Sequence, residues 1–167
     1  EKRIADAYPF HPELLDLMYL RWGSLPTYQR TRGALQFLAT VIGAIWRSGD
    51  AGPLIGPGDV PFDDHDVRNS FFSQVGEREA MNSVLDSDVI GANARCCRVD
   101  TRVAEDAPVY KSLRPATRLS RAVTLFSFGA KSGEDRGVVR SDLLAAVQQP
   151  GLTADVLDIC LQQLTET

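Results

Sequence analysis

Two arginines at the start of a long apolar segment are the residues of this sequence best suited to contact an anion. Arg30 and Arg32 precede a run in which apolar residues recur at helical spacing, at Leu35, Leu38, Ile42, Ile45 and Trp46. This spacing predicts a helix near residues 30–48, with the apolar stripe buried and Arg32 on a different face. A helix N-terminus itself favours negative charge, so the sequence predicts that the two arginines face an anion.

Four basic residues further along the chain have the spacing of one helical face. They are separated by three, four and three positions in a helix predicted over 108–129, and they are Lys111, Arg114, Arg118 and Arg121. Such a stripe can follow the phosphates of DNA or RNA. The alternative is a solvated face neutralised by the acidic segment 50–90, which holds nine acidic and two basic residues. We favour the alternative, because charge opposite an apolar stripe is usual on surface helices.

The sequence predicts no catalytic residue and no metal site in this chain. Gly129-Ala130-Lys131-Ser132 resembles the end of a phosphate-binding loop, but it follows a predicted helix and lacks the upstream glycine. The acidic cluster at residues 63–66 is interpreted as a helix start, because adjacent helical positions point in different directions. The three cysteines, Cys96, Cys97 and Cys160, are interpreted as packing residues in a reducing compartment.

Composition narrows the class of protein further. The chain has 167 residues, 44% of them hydrophobic, which is enough for a sizeable core. Its net charge of −4 argues against a protein that binds nucleic acid over its whole surface. No apolar run is long enough for a membrane span and the first residues lack a signal peptide, so we expect a cytoplasmic protein without a membrane partner. The chain begins without Met in what looks like a helix, and we interpret it as a piece of a longer protein.

The pattern of elements predicts a mainly α fold with little strand, in three segments. A helical, lid-like hairpin at 1–49 is expected to contain helices at 11–22 and 30–48 that pack as a pair. A helical region with a Gly- and Pro-rich loop and the basic helix is expected at 50–130, with helices at 63–74 and 77–85, and an irregular stretch at 86–107 that holds a possible strand at 96–99.

The third segment, 131–167, is expected to be a truncated winged-helix-like module. It follows a polar linker at 131–137 and has two short helices, with Ser141 and Thr153 as candidate N-caps. The polar positions of its last helix include no Lys or Arg, so we expect contacts with protein rather than reading of a DNA groove.

Several ordered strings of the sequence resemble the DUF499 family of bacterial AAA+-type ATPases, which is related to phage-defence systems such as BREX. They are Ala7-Tyr8-Pro9-Phe10-His11-Pro12-Glu13-Leu14, Arg21-Trp22-Gly23-Ser24-Leu25-Pro26, Gln29-Arg30-Thr31-Arg32-Gly33-Ala34-Leu35, Pro57-Gly58-Asp59-Val60-Pro61, Leu85-Asp86-Ser87-Asp88-Val89, Phe126-Ser127-Phe128-Gly129 and Gly137-Val138-Val139-Arg140-Ser141-Asp142-Leu143-Leu144.

The resemblance implies a role in a larger ATPase. The family's P-loop core would precede residue 1, so ATP and Mg²⁺ would be bound by the parent protein and not by this chain alone. This chain would be the helical lid, with Arg32 as the first and Arg30 as the second match to the arginine that contacts the terminal phosphate. The implied partners are the P-loop core of the same chain and other defence proteins. The alternative is a DNA-binding or protein-docking helical module without an ATPase role.

Overall fold

The computed structural model describes residues 2–49, 52–76, 78–129 and 137–166, and helices dominate them. The helices are α1 (Lys2–Ala7), α2 (Pro12–Asp16), α3 (Arg30–Ser48), α4 (His65–Val75), α5 (Arg78–Asp88), α6 (Arg95–Asp106), α7 (Tyr110–Leu113), α8 (Pro115–Phe126), α9 (Arg140–Val147) and α10 (Ala154–Thr165). Within these ranges there is no sheet, and Phe10 and Ile55 form an isolated parallel bridge. The prediction of a mainly α protein is therefore confirmed.

The first predicted helix is a composite of three turn types. After α2, the chain continues as a π-helical turn (Leu17–Arg21) and then as a 3₁₀ turn (Trp22–Ser24). His11 caps α2 by accepting a hydrogen bond from the Glu13 N–H at 3.2 Å. The next helix, α3, packs mainly against α4 and contacts the π-helical turn less extensively. The expected pairing of the two helices of segment 1–49 is therefore not the main packing contact of α3.

An aromatic cluster forms the centre of the core around Trp22, which is fully buried. The Trp22 ring packs edge-on against Tyr28 and Phe37, with centroids 5.8 and 5.3 Å away. Its indole Nε1–H donates to the Leu125 carbonyl of α8 at 3.2 Å. The first predicted segment is thus joined to the second through a buried hydrogen bond and shared aromatic packing.

The expected strand at 96–99 is wrong, because these residues lie within α6. Cys96, Val99 and Val103 recur at spacings of three and four and are all buried on one side of that helix. The preference of valine and cysteine for strands is weak, and packing against α8 and α10 overrides it.

The described part of the C-terminal segment packs onto the same core. Helices α9 and α10 both contact α8, and α10 also contacts α6. Thr153 caps α10 as predicted, by accepting from the Val156 N–H at 3.4 Å. Ser141 is not the cap of α9, which begins after Val139 without a side-chain cap. The predicted linker at 131–137 and the Gly129-Ala130-Lys131-Ser132 string lie largely outside the described residues.

Candidate functional site

Helix α3 presents a positively charged N-terminus to solvent. The helix has 19 residues, its first turn contains no acidic side chain, and its N-cap residue Gln29 makes no side-chain capping bond. It ends at Gly49, which adopts the left-handed conformation (φ 71°) and donates its N–H to the Ile45 carbonyl at 3.0 Å. The N-terminal end of the helix dipole is therefore not compensated by the helix's own residues.

The two arginines predicted to contact an anion lie in this first turn. Arg30 and Arg32 are both exposed, and among the described residues neither forms an ion pair or a hydrogen bond through its side chain. Arg47, at the other end of α3, differs because it forms an ion pair with the Asp64 carboxylate at 2.7 Å. Arg30 and Arg32 are thus the cations of α3 that remain available to a group from outside the chain.

The predicted buried stripe of α3 is only partly correct. Leu38 and Ile45 are buried, but Leu35 is 64% exposed, Ile42 40% and Trp46 85%. The core side of the helix is formed instead by Gly33, Phe37, Leu38, Val41, Ala44 and Ile45.

The reason is that the apolar arc of α3 is wider than the part of the helix surface that the other described residues cover. Residues at positions 35, 39, 42 and 46 follow spacings of four, three and four along one face. We call Leu35, Ala39, Ile42 and Trp46 the α3 strip; all four are exposed. Arg32 lies one turn before Leu35, at the N-terminal end of this strip and not on the opposite face.

The core side of α3 lies very close to α4. A Cβ built on Gly33 would meet the Gln74 side-chain oxygen at 2.2 Å, so only glycine fits this position without a shift of Gln74. On the next turn, Phe37 is fully buried and its ring packs 5.3 Å from the ring of Trp22. These contacts hold α3 against the domain and fix the position of the Arg32 backbone.

The four basic residues of the second predicted site do not share one helical face. The chain breaks at Arg114, which has φ 46° and ψ 58° and separates α7 from α8. The cause is Pro115, since proline disfavours a helical conformation in the residue before it but is well suited to the first position of a helix. Lys111 therefore lies on a short separate helix, and only Arg118 and Arg121 belong to α8.

Two of these basic residues are engaged by acidic residues of the same chain. Arg118 makes a bidentate pair with Asp59, in which its Nη2 lies 2.9 Å from the carboxylate. Arg121 pairs with Asp63, with 2.9 Å between Nη2 and Oδ1. Burial lowers the pKa of Arg121, and the nearby Asp63 acts against this shift. A cavity of about 330 Å³ adjoins both pairs, and its lining carries charges of both signs.

The remaining two basic residues are exposed beside a second cavity. Lys111 and Arg114 line a space of about 480 Å³ together with Cys97 and Asp100. Arg114 also lies near the Cys97 thiol, with 3.8 Å between Nη2 and Sγ. The structure thus divides the predicted stripe into two paired and two exposed side chains.

The cysteines and the acidic cluster at residues 63–66 lie in surroundings that are typical of structural residues and not of reactive ones. Burial raises the pKa of Cys96 to about 11 and that of Cys160 to about 12, so these thiols are protonated at neutral pH. Asp64 of the acidic cluster caps α4 by accepting from the Asp66 and Val67 N–H groups at 2.9 and 3.1 Å. Within the described residues, no group of three His, Cys, Asp or Glu side chains could hold a metal ion.

Sequence reasoning did not single out Asp100. Its buried carboxylate accepts from the Ala116 N–H at 2.7 Å, the Thr117 N–H at 3.0 Å and the Thr117 hydroxyl at 2.6 Å. It therefore caps α8 from a neighbouring helix. Local sequence gives no signal for such a cap, because the acceptor is 16 residues away from the first donor.

A family model described as the DUF499 second domain matches residues 1–130. No match was found among curated proteins or among solved structures. Over the part of the chain that the structure describes, no helix has both the length and the apolar character needed to cross a membrane.

Proposed function

The chain belongs to the DUF499 family, and we propose that it is a non-catalytic, nucleotide-sensing domain of a larger AAA+-type ATPase. In this proposal Arg32, assisted by Arg30, contacts the terminal phosphate of a nucleotide held by the P-loop core of the same protein. The supporting observation is that both arginines are exposed in the first turn of α3 and, within the described residues, have no carboxylate partner.

The chemistry of these residues fits a phosphate. A guanidinium group stabilises the charge that spreads over the oxygens of a phosphoryl group during its transfer. The unpaired N-terminus of α3 adds a partial positive charge at the same place. In this proposal ATP and Mg²⁺ are bound by the P-loop core of the parent protein and not by this chain alone, because Mg²⁺ in such sites is held largely by the phosphates of the nucleotide.

The sensing step depends on the rigid attachment of α3. Because Phe37 and Val41 are fully buried, a displacement of the α3 backbone that accompanies the contact between Arg32 and a phosphate would move the rest of the domain with it. The winged-helix-like segment 131–167 is proposed to pass this change to partner proteins, in a cytoplasmic, phage-defence context that follows from the family resemblance.

The test is the substitution Arg32→Ala in the full-length parent protein. We expect ATP turnover to fall by at least about tenfold, since arginines that contact the transferred phosphate have large effects on the rate. Arg47→Ala is the matched control, because Arg47 belongs to the same helix but is engaged by Asp64. Turnover of Arg32→Ala within about twofold of the wild type would remove the assignment.

The alternative function, a DNA-binding module, has weaker support. It needs the four basic residues to act together, whereas Arg118 and Arg121 are paired with Asp59 and Asp63. Lys111 and Arg114 alone offer two cations, and affinity for DNA rises with the number of phosphates that are neutralised.

A further inference from the structure

The α3 strip is an apolar surface that the described part of the domain leaves uncovered. Trp46 is 85% exposed and Leu35 64%, although α3 is otherwise packed against the core. Single exposed apolar residues are common on proteins, but four in register along one helix face make a continuous ridge of the kind that marks an interaction surface.

We propose that the α3 strip docks the domain onto the nucleotide-binding domain of the same protein, through an apolar face that borders the bound phosphate. This inference rests on the proposed function and names the surface through which the domain would bind the nucleotide-binding domain. The family match supports a neighbour, because the matching model is described as a second domain.

Charge complementarity favours this occupant over a symmetric contact between the α3 strips of two copies of the chain. Helix α3 contains three basic residues, Arg30, Arg32 and Arg47, and no acidic residue. A second copy of the strip would bring the same cations and no anion for Arg30 and Arg32. A domain that holds a nucleotide supplies both an apolar surface for Trp46 and a negative charge at the end of the strip.

The geometry of the helix connects docking with sensing. Arg32 and Leu35 are one turn apart, and Trp46 is on the same side of the helix further along. A partner that covers Leu35 therefore also approaches the Arg32 guanidinium, while Trp46 anchors the other end of the strip. Tryptophan is among the residues that most often contribute a large share of the binding free energy at protein interfaces.

The test uses a photo-crosslinking amino acid, p-benzoylphenylalanine, at position 46 of the full-length parent protein. We expect crosslinks within one polypeptide from position 46 to the nucleotide-binding domain. The matched control has the same amino acid at position 109, because Val109 is also well exposed, at 62%, but does not lie on α3. The yield at position 46 should exceed that at position 109 by at least about fivefold, and Leu35→Ser should reduce it, as expected when part of an interface core is removed.

Each outcome decides between the proposals. Crosslinks between two copies, or equal yields at positions 46 and 109, would overturn docking onto the nucleotide-binding domain. If the crosslink forms but Arg32→Ala leaves ATP turnover unchanged, docking stands and the sensing role fails. If Arg32→Ala lowers turnover without a crosslink from position 46, sensing stands and the α3 strip is not the docking surface. Because Leu35 and Trp46 are exposed, these variants are expected to fold, and circular dichroism provides the check.

Discussion

The buried carboxylate of Asp100 joins α6 to the start of α8. It accepts three hydrogen bonds from Ala116 and Thr117 and is 7% exposed. Burial raises its pKa, whereas the hydrogen bonds from Thr117 and Ala116 and the charge of Arg114 act in the opposite direction. The Asp100 carboxylate is therefore buried together with its hydrogen-bond donors, and it supplies the acceptor for the backbone N–H groups at the N-terminus of α8.

We predict that Asp100→Ala lowers the free energy of unfolding by about 2–3 kcal/mol, because it leaves the buried N–H groups of Ala116 and Thr117 without an acceptor. Urea denaturation followed by circular dichroism measures this difference. Asp106→Ala is the control on the same helix, since Asp106 is exposed, and it should change the free energy by less than about 0.5 kcal/mol. Equal effects of the two substitutions would show that Asp100 is not a structural cap.

Asp64 gives a prediction about pH. Its burial raises the pKa, but the hydrogen bonds from Arg47, Val67 and Asp66 outweigh this effect and lower the pKa below the ordinary value of 3.8. A carboxyl whose pKa is lowered by folding contributes stability above the pKa of the unfolded state, and this contribution is lost as the pH falls through the folded-state pKa.

We therefore expect the stability advantage of the wild type over Asp64→Asn to be constant at neutral pH, to decline as the pH falls below about 3.8, and to be lost as the pH falls through the lower folded-state pKa. Thermal unfolding of both proteins between pH 7 and pH 2.5 measures the difference. An advantage that persists unchanged at the lowest pH would contradict the assignment, because asparagine can also cap a helix but has no ionisation to lose.

At the scale of single residues, local rules identified only the caps whose partners are close in sequence. Thr153 was predicted because its donor, Val156, is three positions away. Asp100 was not found, because it caps a helix that follows it in the chain, across a tertiary contact. Ser141 was assigned wrongly, because helix α9 starts two residues before Asp142, at Arg140, which places Ser141 inside its first turn.

At the scale of secondary-structure elements, α3 has two apolar sides with different roles. We predict that Phe37→Ala lowers the free energy of unfolding by about 3–5 kcal/mol, because this ring is fully buried against Trp22. Trp46→Ser should change it by less than about 0.5 kcal/mol, because the Trp46 side chain is 85% exposed. Chemical denaturation of the isolated chain distinguishes them, and a large loss for Trp46→Ser would mean that the α3 strip belongs to the core.

Helix α3 also shows what hydrophobic periodicity alone can and cannot predict. The sequence predicted the helix over 30–48, as observed, because apolar residues recur at helical spacing and Gly49 follows. Periodicity could not tell which part of a wide apolar arc meets the core, since both Leu38 and Leu35 fit the pattern. The choice depends on α4 and the aromatic cluster, which are distant in sequence.

At the scale of the whole molecule, the acidic and basic segments of the sequence meet inside one fold. The sequence analysis considered that the acidic segment 50–90 neutralises the basic residues of the predicted stripe. The Arg118–Asp59 and Arg121–Asp63 ion pairs are two such contacts. The pairing partners could not be identified from sequence, because they are 59 and 58 positions apart. The same pairs also join the 3₁₀ turn Pro57–Asp59 and the residues after it to α8.

This arrangement predicts that the chain does not bind duplex DNA with useful affinity. The net charge is −4, and two of the four candidate contact residues are already neutralised. Binding through counterion release weakens steeply when few phosphates are contacted, so we expect no mobility shift of a short duplex at about 50 mM salt and micromolar protein. A shift that weakens with added salt and disappears in the Lys111→Ala, Arg114→Ala double variant would favour the DNA-binding alternative. Because Lys111 and Arg114 are exposed, that double variant removes the two exposed cations of the predicted stripe without breaking a buried ion pair.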